Sequence, residues 1–158
     1  GNLKYTGKLS LSEESAKDYI LEDGDILFAR SGATVGKTFI YYQSYGRSAY
    51  AGYLIKASLN NKVSPKFVYY YTCSSLYEIW KNSIFIQSTI QNIGADRYAN
   101  LHVPVPKTLQ EQEEIAAYLD AKCAEIDGLI AKKEQLVKEL ESYKKSLIYE
   151  VVTGKREV

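Results

Sequence analysis

Two prolines, Pro104 and Pro106, divide this 158-residue chain into parts with different hydrophobic periods. Proline has no backbone N–H and disfavours helix in the residue before it, so Leu101-His102-Val103-Pro104-Val105-Pro106-Lys107 stops whatever precedes it. Thr108 then offers a capping oxygen, and Glu111, three residues on, completes a capping box. From there a helical period runs without a break to about Val152, and Thr153-Gly154 ends it. The expected fold class is α+β: a small mixed α/β domain over residues 1–107, followed over 108–158 by a long C-terminal coiled-coil helix. A globular module joined to such a helix suits a positioning device better than a catalyst.

The helix carries a heptad seam. Placing Leu119, Ile126, Lys133, Leu140 and Leu147 at a puts Ile115, Lys122, Leu129, Leu136, Tyr143 and Glu150 at d. Eight of these eleven positions are apolar or aromatic, so Ile115, Leu119, Ile126, Leu129, Leu136, Leu140, Tyr143 and Leu147 are the expected helix interface. Ile130 and Val137 widen the stripe. At 1.5 Å per residue the helix reaches about 65 Å, too long to bury its stripe against a domain of roughly 100 residues. It calls for a partner helix, and an antiparallel second copy is the expected one in isolation.

Within the first part, Ser12 to Lys17 suits one helical turn, and Tyr19 to Asp25 a strand running into the Asp23-Gly24 turn. Asp25 to Arg30 reads as a strand with Thr38 to Tyr42 as its neighbour, and Ala49 to Ala57 as another strand. Ser64-Pro65 opens a helix that continues through Trp80. Ser83 to Gln91 reads as an exposed strand or loop, and Tyr98 to Val105 as the last strand.

Net charge is uneven. Between Ile26 and Lys107 stand nine Lys/Arg against Glu78 and Asp96, 9 − 2 = +7; from Thr108 on, eight basic and eleven acidic residues give 8 − 11 = −3. Only the globular part would attract a polyanion. No stretch is long and apolar enough to span a membrane, and no leader pattern opens the chain, so a cytoplasmic protein without membrane contact is expected. Cys73 and Cys123 are isolated, which suits a reducing compartment and small half-buried side chains. His102 is the only histidine, so no metal site is expected.

Gly32-Ala33-Thr34-Val35-Gly36-Lys37-Thr38 looks like a phosphate-binding loop but fails its spacing. Four residues must separate the first glycine from Gly-Lys; here three do, Ser31 stands where that glycine belongs, and the following residues are β-prone. An enzyme acting on nucleotides would need ATP near Lys37, against this spacing. No dinucleotide fingerprint and no Asn-Pro-Pro-aromatic run for base methylation is present, so neither a cofactor nor a catalytic residue is expected.

Four stretches in order nevertheless form a pattern: Gly24 to Lys37; Asn92-Ile93-Gly94 with Leu101 to Pro106; Leu109-Gln110-Glu111-Gln112-Glu113-Glu114-Ile115-Ala116 before the long helix; and Val152-Thr153-Gly154-Lys155. Together they resemble the specificity subunits of type I restriction-modification systems. The resemblance implies one target-recognition domain and one spacer helix, in a subunit that is not itself catalytic. Its expected partners are double-stranded DNA, of which it reads half of a split site, the methyltransferase (modification) subunit and, through that, the restriction subunit. An antiparallel helix from a second repeat or a second copy completes the set. The family usually has several dozen residues before the Gly-Asp turn, so an N-terminally incomplete domain is expected, from a longer subunit or a half-length one that dimerises.

Residues and resemblance together nominate a DNA-binding set. Arg30, Ser31, Thr34 and Lys37 lie in a loop between strands, Arg47 follows another turn, and Gln87, Thr89, Gln91 and Asn92 belong to an amide- and hydroxyl-rich run. Arg pairs with guanine and Gln or Asn with adenine, while Lys and Arg neutralise phosphates. Tyr42, Tyr45 and Tyr50 flank turns and are further candidates; Tyr69, Tyr70, Tyr71 and Tyr77 read mainly as core. The competing reading is a coiled-coil adaptor whose globular domain binds protein, separable by salt-sensitive DNA binding.

Overall fold

The computed structural model describes residues 12–85 and 92–157. The chain is α+β, and the residues up to Ala116 form one compact unit, with those from Ala117 on forming another. Ser12 caps the short helix α1, Glu13–Ala16, by accepting from Ser15 N, and a 3₁₀ turn, Lys17–Tyr19, follows.

The sheet has three antiparallel strands in the order β2-β1-β3: β1 Ile26–Ala29, β2 Thr38–Ile40 and β3 Leu54–Ala57. Ile26 faces Ile40 on one side and Ala57 on the other. Because β1 is central, all four of its residues are buried, which explains why Ile-Leu-Phe-Ala shows no polar alternation. Ile26 and Phe28 point into a cluster with Val68, Tyr77, Ile93 and Tyr98. Leu27 points the other way, to Leu21 and Tyr41.

The sharp start of β1 combines a local turn with a distant partner. Gly24 takes φ +85°, and the buried Asp25 carboxylate accepts from Glu22 N at 2.8 Å and from Ser58 Oγ at 2.6 Å. Ser64 caps α2, Pro65–Thr72, by accepting from Phe67 N, with Pro65 in the first turn.

Several expected boundaries shift. The helix expected to continue from Pro65 through Trp80 breaks at Cys73, and α3 runs separately over Ser75–Phe85. Ser74 has its own capping chemistry: its hydroxyl accepts from Tyr77 N and its carbonyl from Glu78 N. Residues 83–85, expected as strand or loop, belong to α3 because Trp80, Ile84 and Phe85 pack on the core. The strand expected over Ala49 to Ala57 starts only at Leu54. A turn from Ala51 to Leu54 interrupts it, and Ala49 pairs with Ile20 instead.

In place of a last strand over Tyr98 to Val105 stands a short helix, α4 Ala95–Ala99, followed by irregular chain. Burial of Tyr98 under Phe28 and Trp80 decides this, at ring-centroid distances of 4.6 and 5.7 Å. Pro104 and Pro106 then remove two donors that a ladder would need. Cys73 and Cys123 are both exposed, contrary to the half-buried expectation.

Helix α5 spans Leu109–Val152, and Thr108 Oγ1 caps it by accepting from Glu111 N at 3.2 Å. Its other end closes at Gly154, φ +71°, where Gly154 N donates to Val151 O and Lys155 N to Glu150 O. These bonds satisfy carbonyls the helix leaves open. No described helix is long and apolar enough to cross a membrane.

Candidate nucleic-acid interface

The loop from Arg30 to Lys37 is held at its neck and exposed at its tip. Ala29 N donates to Lys37 O and Gly36 N donates back to Ala29 O, at 2.9 and 2.8 Å. Between them, Val35 N bonds Gly32 O and Lys37 N bonds Thr34 O, so two successive turns shape the loop. Each uses a glycine in the left-handed region, Gly32 at φ +79° and Gly36 at +78°.

Two buried tyrosines support this neck from outside. Tyr77 on α3 donates its hydroxyl to Gly36 O at 2.8 Å, and Tyr98 on α4 donates to Ala29 O at 3.1 Å. Burial, with the Tyr98 phenol beside it, holds the Tyr77 hydroxyl far above the usual tyrosine range; burial also raises Tyr98, opposed by the neighbouring Tyr77 hydroxyl and the Gly36 backbone. Both therefore remain neutral donors at any ordinary pH. The side chain of Lys81 lies over Gly36 and pairs with Glu78 at 2.6 Å.

Most of the described candidates gather here. Arg30, Ser31, Thr34 and Lys37 are exposed. Ser31 forms an antiparallel bridge with Asn92, also exposed, while Ile93 N donates to Arg30 O at 2.8 Å. The Arg30 backbone is thus fixed between Tyr53 O and Ile93 N, and its side chain is left to solvent. Neither Arg30 nor Lys37 makes an ion pair among the described residues. Gln87, Thr89 and Gln91 lie outside the described residues.

Arg47 is not part of this group. It follows the 3₁₀ turn Gln43–Tyr45 at the opposite end of the sheet, where Gln43 N bonds Asp23 Oδ1, and it pairs with Glu13 at 2.6 Å. Tyr42, Tyr45 and Tyr50 are half-buried; Tyr45 meets Phe39 at a tilt and Tyr41 and Tyr42 edge-on, and Tyr50 meets Tyr19 edge-on. Arg97, counted in the basic field but not nominated, is exposed beside Tyr98 on α4 and also lacks an ion pair among the described residues. Its nearness to Asn92 in sequence was the available signal.

On α5, the nominated seam divides. Ile115, Leu119 and Leu147 are half-buried, whereas Ile126, Leu129, Leu136, Leu140 and Tyr143 are each 52–58% exposed. Ile130 and Val137 are exposed as well, at 47% and 54%.

The model of the family described as "Type I restriction modification DNA specificity domain" matches residues 4–139, through the loop, the Asn92 bridge and well into α5. The chain is 29% identical to the Type I restriction enzyme EcoKI specificity subunit of Escherichia coli (strain K12) over 151 residues, 92% of this chain and 31% of that protein. It is also 29% identical to the Type I restriction enzyme StySPI specificity subunit of Salmonella potsdam over 92 residues, 58% of this chain and 20% of that one. The chain thus spans between a fifth and a third of the length of these relatives. A match reaching from the start of the sheet module into its long helix makes the chain a member of the type I restriction modification DNA specificity domain family.

Proposed function

We propose that this chain is a DNA-reading module of a type I specificity subunit, non-catalytic and cytoplasmic, that reads one half of a split site in double-stranded DNA. The observation that carries this reading is the Arg30–Lys37 loop: a rigid neck presenting exposed, unpaired cations beside Ser31 and Asn92. Fixed backbone with free polar tips is what paired hydrogen bonding to base edges requires, and unpaired cations supply the phosphate term. In this reading, residues 1–107 form the recognition domain and 108–158 the spacer. The Gln87, Thr89 and Gln91 run would add contacts to those of the loop, while Arg47, paired with Glu13 at the opposite end of the sheet, is the nominated cation set apart from them.

The exposed stripe of α5 takes an antiparallel helix from a second repeat or a second copy, and with it sets the separation of half-sites. The methyltransferase subunit docks on the assembled subunit and brings the restriction subunit with it. The exposure of five seam positions supports the first of these statements, since covering the exposed half of one such side chain contributes on the order of 1 kcal/mol.

The test is selection of duplexes from a randomised pool, followed by affinity of the selected duplex across a salt series. An enriched sequence and an affinity that falls steeply with salt are expected. Binding that ignores both sequence and salt would favour the protein-binding adaptor instead. Inserting four residues into α5 should then alter half-site spacing and leave base preference unchanged.

A further inference from the structure

We infer that Tyr77 and Tyr98 are positioning residues for DNA reading: their hydroxyls lock the neck of the Arg30–Lys37 loop into the conformation that presents Arg30, Ser31 and Lys37 to a duplex. The inference rests on the reading of that loop as a DNA contact, and adds residues that touch no DNA.

The geometry separates these tyrosines from ordinary core filling. Each ring packs in the core, Tyr77 against Trp80 at 5.5 Å and Tyr98 against Phe28 at 4.6 Å, and phenylalanine could do that alone. Each hydroxyl instead reaches a carbonyl 41 or 69 residues away, and both carbonyls belong to the same loop neck. The Ala29 carbonyl accepts twice, from Gly36 N and from Tyr98 Oη. The Gly36 carbonyl accepts from Tyr77 Oη, and Gly36 itself stands in the left-handed region at φ +78°. Helices α3 and α4 thereby hold the two residues of one neck, Gly36 and Ala29, each through a single buried oxygen. Four backbone bonds close the nine residues from Ala29 to Lys37 on themselves and two more tie Arg30 to Tyr53 and Ile93; a short exposed loop held this way still opens locally, and the buried side-chain bonds oppose that opening at the neck.

Removing the hydroxyls should therefore lower the closed population without changing which phosphates are met in the bound state. If that population falls tenfold, the dissociation constant for a selected duplex rises about tenfold. The slope of log K against log salt stays the same, because the released counterions are the same.

The experiment uses the 158-residue chain and its Tyr77→Phe/Tyr98→Phe variant. Amide exchange of Gly36 and Lys37 is read against that of Ile26 and Leu27 in β1, together with the affinities for a selected and a scrambled duplex. Faster exchange confined to the loop, with loss of preference for the selected duplex and an unchanged salt slope, is expected. A wild-type chain showing no duplex preference overturns the DNA reading and the inference with it. A preference present in the wild type and undiminished in the variant overturns the inference alone, as does equal loss for both duplexes, which marks simple destabilisation. Should the double variant not fold, Tyr98→Phe, which leaves Ala29 O bonded to Gly36 N, is read by the same criteria.

Discussion

Gln112 and Ser64 are joined across 48 residues by one buried hydrogen bond: Ser64 N donates to Gln112 Oε1 at 2.8 Å. The same Gln112 amide donates to Lys62 O and Pro106 O, at 3.3 and 3.0 Å, and the residue is 1% exposed. A single side chain on the first turns of α5 thus satisfies the chain entering α2 and the proline segment before its own helix.

Gln112→Leu keeps the volume and removes all three bonds. It leaves the Ser64 N–H buried without a partner, which should cost about 2–4 kcal/mol. Urea unfolding measures this directly. A midpoint within error of wild type would mean that water replaces the amide and that the junction is looser than its burial implies.

Gly36 and Gly32 separate two costs of a side chain. Both have positive φ, but a Cβ on Gly32 meets nothing within 4 Å, while one on Gly36 would collide with the Lys81 stem. Gly32→Ala should cost about 1 kcal/mol through conformation alone. Gly36→Ala should cost about 2 kcal/mol or more, because the Lys81–Glu78 pair must also move. Equal losses in thermal denaturation would show that Lys81 swings away freely.

The buried phenols predict an alkaline limit to stability. Tyr77 and Tyr98 are held above the usual tyrosine value, chiefly by burial, and Tyr69 is raised by burial and by Cys73. For a phenol with a raised folded pKa, the unfolded chain ionises first. Stability from these groups is then complete below about pH 10 and falls as pH rises beyond it. Absorbance titration should show most of the fifteen tyrosines ionising first and a last group only as the fold is lost. Smooth titration of all of them without unfolding would contradict the burial assigned here.

The features legible in the sequence are those whose chemistry is local. Ser64-Pro65, Asp23-Gly24 and Thr108 each serve backbone groups within a few residues, so their types announce a cap or a turn; of the expected capping box only the Thr108 half, accepting from Glu111 N, is formed among the described residues. The glycines at 32 and 36 likewise marked the loop that gathers Arg30, Ser31 and Lys37. What was not legible depends on distant partners. Tyr98 reads as β-prone until Phe28 and Trp80 close over it, and nothing near Tyr77 indicates that its hydroxyl acceptor is Gly36. Arg47 shows the same limit from the other side. Its type and turn suggested a DNA contact, and only the fold reveals its pairing with Glu13 at the far end of the sheet.

That difference gives the sharpest test of which cations meet DNA. Arg30 and Lys37 are exposed without ion pairs among the described residues, so bringing either to a phosphate breaks nothing. Arg47 must first leave Glu13, in a pair so exposed that its own strength is small. If the loop is the contact surface, Arg30→Ala and Lys37→Ala each remove one phosphate neutralised and reduce the slope of log K against log salt by about 0.9. Arg47→Ala leaves the slope unchanged. Arg30→Ala should in addition relax base preference at one position if its guanidinium reads guanine, where Lys37→Ala weakens all sequences alike. A slope that responds to Arg47 and ignores Arg30 and Lys37 would move the interface to the opposite end of the sheet.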